Sequence, residues 1–147
     1  MTLEHPHCEF DVLSLATEAD LTIPGHVEAI GPAVDMVMAA INELGCAAGK
    51  EFEIEVALTE ALANAVEHGC EHDPEKRVEI WVGCEHDRGL LIVVRDPGPG
   101  FDPSQIPSPI EGEQIFAEGG RGIYLINRLM DHVQYERGGT EIRMRKR

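Results

Sequence analysis

The sequence predicts an α+β fold of two layers, a largely antiparallel mixed sheet with helices on one face. Three observations carry that expectation. Apolar residues recur at helical spacing through 27–44, 54–65 and 123–129. Two pairs of alternating segments flank short turns, the pattern of β-hairpins. The elements then fall in the order β-α-α-β-β-loop-α-β-β without a repeat, so residues 1–147 are expected to form one domain.

Taken in order, Glu9 to Ala16 alternates loosely through Phe10, Val12, Leu13 and Leu15 and predicts a first strand. Thr22-Ile-Pro24 predicts a helix start, with Pro24 near the first helical position. Val27, Ile30, Val34, Val37, Met38, Ile41 and Leu44 continue that helix to Gly45. Pro32 requires either a kink there or a later start. Ile54, Ala57, Leu58, Ala61, Leu62 and Ala65 form the apolar stripe of a second helix, which ends near His68-Gly69.

Val78, Ile80, Val82 and Cys84 alternate, as do Leu90, Ile92 and Val94, with His86-Asp-Arg-Gly89 as the turn between them. Residues 96–120 are rich in proline and glycine and lack periodicity, so they predict a long loop of the kind that usually serves function. Gly122 to Met130 predicts a third helix through Ile123, Leu125, Ile126 and Leu129. His132–Glu136 and Glu141–Arg145 predict a closing hairpin around Arg137-Gly-Gly139.

Composition excludes several function classes. The net charge of −15 repels nucleic-acid backbones, so no direct nucleic-acid binding is expected. Runs such as Leu90 to Val94 are far too short for a bilayer, and the N-terminus lacks a basic start and an apolar stretch. A cytoplasmic protein without a membrane anchor is expected. Cys8, Cys46, Cys70 and Cys84 make no Cys-x-x-Cys pair and no zinc spacing, which predicts free, buried or half-buried thiols. His68-Gly-Cys70-Glu-His72 straddles a helix end and a turn, a poor frame for a metal.

Chemistry concentrates in three places. Glu60, Asn64 and His68 recur every four residues on the second helix, and each step of four drifts only about 40°, so they share one row. With Ile54 at zero, that row lies near about 280° and the apolar stripe near about 10°, so the row flanks the core and can line a cleft. Asp96-Pro-Gly98-Pro-Gly100-Phe101-Asp102 follows directly on an apolar strand. A carboxylate there can accept a hydrogen bond from the adenine 6-amine, where guanine offers an oxygen that it would reject. Gly119-Gly120-Arg121-Gly122 runs into the third helix, leaving free N–H groups and a guanidinium for phosphate. Each alone also fits a plain helix edge, a tight turn or a loop. Their order and spacing together point to a nucleotide.

In that order the chain resembles the ATP-binding (Bergerat) fold shared by gyrase, MutL and the histidine kinases. Glu60-Ala-Leu-Ala-Asn64-Ala-Val-Glu-His68 is similar to that family's asparagine motif, Asp96-x-Gly98-x-Gly100 to its first glycine motif, and Gly120-x-Gly122 to its second. Thr59-Glu60-Ala61, His68-Gly69, Arg95 through Asp102 and Gly119 through Ile126 narrow the resemblance to the anti-sigma-factor serine/threonine kinases. The resemblance covers nearly the whole chain. It implies ATP and Mg²⁺ as cofactors, Asn64 as the metal ligand and Glu60 as the catalytic base. It implies nucleotide contacts from Asn64, His68, Asp96, Gly98, Gly100, Phe101, Gly119, Gly120, Arg121, Gly122, Ile123 and Thr140. It further implies a homodimer whose partners are a sigma factor and an antagonist protein that is phosphorylated on Ser or Thr. One departure is that the lid from Pro103 to Glu118 holds no lysine or arginine. An ATP-gated binding module with little kinase activity therefore remains the competing expectation.

Overall fold

The computed structural model describes residues 15–85, 88–100 and 120–147. Among the described residues five strands form one sheet in the order β1-β2-β3-β5-β4. They are β1 (Leu15–Pro24), β2 (Arg77–Glu85), β3 (Gly89–Arg95), β4 (His132–Glu136) and β5 (Glu141–Lys146), and each described pairing is antiparallel. The α-helices among the described residues are α1 (Ile30–Leu44), α2 (Glu51–Asn64) and α3 (Gly120–Leu129). The α+β architecture expected from the pattern is the one observed.

The first described strand runs past its expected end at Ala16, to Pro24. Thr22-Ile-Pro24 ends β1 and does not open a helix, and residues 9–14 of the expected strand lie outside the described residues. Leu21 and Ile23 pack against the core while Asp20 and Thr22 are exposed, the period of two that a half-buried strand requires. Among the described strands β1 is an edge, where a proline such as Pro24 is tolerated.

The helix begins later than expected, at Ile30, after a 3₁₀ turn over Val27–Ala29. Pro32 therefore falls in the first turn, where its missing N–H has no intrahelical acceptor to lose, and no kink is needed. Gly45 closes α1 in the left-handed region at φ 78°, donating its N–H to Ile41 O at 3.1 Å. The predicted stripe of α2 is the core: Ile54, Ala57, Leu58, Ala61 and Leu62 are all buried.

These helices pack on one face of the sheet. Their apolar stripes join Ile80, Val82, Leu90, Ile92, Val94, Ile142 and Met144 in one cluster. Trp81, Leu91 and Val93 form a second cluster on the opposite face. Glu85, Glu141, Arg143 and Arg145 share that outer face and are also buried. The three inner strands thus read differently from a sheet with one wet side.

The expectation of free thiols holds for Cys70 and fails for two others. Cys46, in the α1–α2 connection, is disulfide-bonded to Cys84 at the end of β2, with Cα atoms 6.2 Å apart. The two are 38 residues apart in sequence, and only packing of the connection over the sheet brings them together. Cys8 lies outside the described residues. No helix among the described residues is long and apolar enough to cross a membrane.

Candidate functional site

The site assembles where α2 ends, α3 begins and β3 leaves the sheet. Glu60 and Asn64, one turn apart on α2, are half-buried and point at the first turn of α3. A methyl group on Gly122 would stand 2.8 Å from Glu60 Oε1, 3.5 Å from Asn64 Nδ2 and 3.7 Å from Asn64 Oδ1. Glycine at this position lets the helix N-terminus sit directly against a carboxylate and an amide. The N–H groups of that first turn have no intrahelical acceptor.

His68 does not continue the row in the way that even spacing predicts. From Ala65 to Gly69 the chain widens into a π turn, with Cys70 N–H donating to Ala65 O at 2.8 Å. Single π turns of this kind occur often at functional sites. His68 stands in the wide turn, mostly exposed, with Nε2 3.4 Å from Glu67 Oε1. No described contact joins it to Glu60 or Asn64.

Asp96 forms the second corner. Its N–H donates to Thr140 O at 2.9 Å, and its Oδ1 accepts the Gly98 N–H at 2.8 Å. The π turn presses Gly69 against the Asp96 carboxylate, so that no side chain fits at 69. Gly98 in turn lies against Gly69, where a Cβ would meet its Cα at 2.6 Å. Burial raises the Asp96 carboxyl above its ordinary 3.8, an effect that the Gly98 N–H opposes. Cys70, buried beside it, is also raised, first by desolvation and then by the Asp96 charge.

The third corner is the turn before β5. Gly100 takes φ +81° and packs so closely on Gly138 that a side chain there would strike the Gly138 carbonyl. Thr140, partly buried, donates its hydroxyl to Arg137 O at 2.9 Å. Gly120 and Arg121 open α3, and Ile123 is partly buried in it. Phe101 and Gly119 lie outside the described residues.

The structure thus brings Glu60, Asn64 and Gly122 together in one group, and Asp96, Gly98, Gly100 and Thr140 in a second at the ends of β3 and β5. Gly69 and Gly138 pack against the second group and were not among the expected site residues. Gly69 had read as the end of a helix and Gly138 as the turn of a hairpin, and neither pattern signals what packs against it.

Two helix ends gathered at the strand ends of an antiparallel sheet suit a nucleotide-binding class, and the chain belongs to it. The family described as Histidine kinase-like ATPase domain matches residues 23–146. Within that class the chain is similar to proteins named serine-protein kinase RsbW. It is 28% identical over 134 residues to that of Bacillus subtilis strain 168, covering 86% of this chain and 83% of the relative. The Halalkalibacterium halodurans protein is 32% identical over 86% of this chain and 81% of its own. That of Bacillus cereus strain Q1 is 33% identical over 78% and 74%.

Proposed function

We propose that this chain is an ATP-dependent serine/threonine protein kinase of the anti-sigma-factor type, which sequesters a sigma factor and phosphorylates an antagonist protein. The observation that carries the kinase reading is the meeting of Glu60 and Asn64 at the first turn of α3. Membership of the Histidine kinase-like ATPase family supports nucleotide use, and the serine-protein kinase relatives support the reaction.

The roles follow from the chemistry of each group. The Asp96 carboxylate accepts from the adenine 6-amine, and Gly98 and Gly100 let the base approach the backbone. The N–H groups at the first turn of α3 and the positive charge of Arg121 would offset the phosphates, which a chain of charge −15 otherwise repels. Asn64 offers a hard neutral oxygen beside a carboxylate, a donor set that fits magnesium, so Asn64 would hold Mg²⁺, which when bound offsets phosphate charge. Glu60 takes the proton from the incoming Ser or Thr hydroxyl. The oxygen bonds to the γ-phosphorus as the bond to ADP breaks. His68, Phe101, Gly119, Gly120, Ile123 and Thr140 complete the proposed nucleotide contacts.

The protein partners, a cytoplasmic setting and a homodimer belong to the same proposal. The acidic surface argues against direct nucleic-acid contact. The test is transfer of labelled γ-phosphate to a candidate antagonist by wild type and Glu60→Gln, with ATP affinity measured for both. General base catalysis contributes about 10²–10⁴-fold, so the variant should lose transfer by that order while binding ATP normally. Wild type that binds its partners and transfers nothing would leave the ATP-gated binding module as the function.

A further inference from the structure

The outer face of the sheet carries a group of charged side chains with no place in the chemistry above. At its centre is Glu141, fully buried and immediately after Thr140. Its Oε2 accepts Arg143 Nε at 2.6 Å and its Oε1 accepts Arg95 Nε at 3.2 Å. Arg137 Nε approaches Oε1 at 4.0 Å. One carboxylate thus holds two largely buried guanidiniums and attracts a third. Arg95 has a second carboxylate nearby, Glu79 at 3.6 Å, but that residue is exposed and its pull is screened by water.

Where this clamp sits gives it a consequence. Arg95, the last residue of β3, pairs with Glu141, the first of β5. The next residue along β3 is Asp96, and the residue before Glu141 is Thr140, whose carbonyl receives the Asp96 N–H. Both neighbours of the clamp are therefore site residues. The Thr140 and Gly98 hydrogen bonds hold Asp96 through its own N–H and Oδ1. The Arg95–Glu141 pair ties the strand ends to a buried, closely packed face.

We propose that Glu141 is a positioning residue: its carboxylate, held between Arg95 and Arg143, sets where the Asp96 carboxylate stands and so sets selectivity for the adenine 6-amine. The proposal rests on the reading of Asp96 as the adenine acceptor. Without the charge on Glu141, Arg95 loses the ion pair that joins the ends of β3 and β5 and keeps only the more exposed Glu79 of the two carboxylates. Glutamine in its place keeps the shape but turns a donor toward one of the two guanidiniums.

The experiment compares ATP with inosine triphosphate, which carries a 6-oxo group in place of the amine, by calorimetry on the full chain. Wild type should prefer ATP. In Glu141→Gln, ATP affinity should fall about tenfold or more while inosine triphosphate affinity changes less than about twofold, so that selectivity collapses. Glu141→Asp keeps the charge but is one methylene too short to span both arginines. It carries the same test, with a smaller loss of selectivity, should the glutamine variant fail to fold. Loss of both nucleotides in parallel would mean that Glu141 only stabilises the fold, and unchanged selectivity in both variants would equally overturn the proposal. Wild type binding the two nucleotides alike would instead remove the Asp96 reading on which it stands.

Discussion

Asp96 is placed for binding at a cost to folding. Its carboxyl is raised by burial, with only the Gly98 N–H opposing the shift. The form that accepts from an amine is the carboxylate, so a raised value makes the site lose that form at a higher pH than an exposed aspartate would. ATP affinity should therefore be full at neutral pH and fall on acidification through the raised value, above the ordinary 3.8. Linkage to folding has the opposite sense. The native carboxyl holds its proton more tightly than the unfolded one, so its contribution to stability is present in acid and lost as pH rises. Asp96→Asn should then be no less stable than wild type at neutral pH while binding ATP about ten- to hundredfold more weakly. Calorimetry and thermal melts on one preparation read both, and an ATP affinity that stayed the same in Asp96→Asn would remove the adenine contact.

At the scale of elements, the N-terminus of α3 is set by what α2 presents to it. Gly122 is buried against Glu60 and Asn64, and a Cβ there meets Glu60 Oε1 at 2.8 Å. Alanine is a better helix residue than glycine by up to about 1 kcal/mol, so Gly122→Ala should melt no earlier than wild type. The new methyl must nevertheless displace the Glu60 carboxylate, and misplacing a reacting group by about 1 Å can cost about 10²-fold. Phosphoryl transfer should fall by about ten- to hundredfold at unchanged or higher melting temperature. Transfer at the wild-type rate would show that Glu60 need not stand where the structure puts it. The π turn at Ala65–Gly69 belongs to this scale as well. It breaks the row after Asn64 and buries Gly69 against Asp96, joining two corners of the site.

Across the whole molecule, the Cys46–Cys84 bridge ties the connection between α1 and α2 to the sheet, near the opposite end of α2 from Asn64. Closing a loop between residues 38 apart restricts the unfolded chain by about 4 kcal/mol on the chain-entropy account. Denaturant unfolding with and without reductant should differ by about that amount, and Cys46→Ala should match the reduced protein. If reductant leaves the midpoint where it was, the bridge contributes nothing to stability.

Much of this protein is legible one segment at a time. The α2 stripe, both hairpins and the three site motifs are local patterns, because helix and strand periods repeat within a few residues and turn chemistry is carried by single glycines. Other features resist such reading. Thr22-Ile-Pro24 reads as a helix start, and pairing with β2 makes it the end of β1. Glu141-Ile-Arg-Met-Arg145 alternates charge with apolar residues and reads as a strand with a wet face, yet Glu141, Arg143 and Arg145 are buried. The partners of Glu141 and Arg145 from outside the strand, Arg95 and Glu85, come from the ends of β3 and β2, so the pattern of β5 alone cannot show them. The sequence by itself determined the fold class, the helix that holds Glu60 and Asn64, and the glycine motifs, since each depends on near neighbours in the chain. Only the tertiary structure decided which cysteines pair, how the π turn brings Gly69 to Asp96, and that a buried carboxylate stands behind the site, since each depends on what packing brings together across many residues.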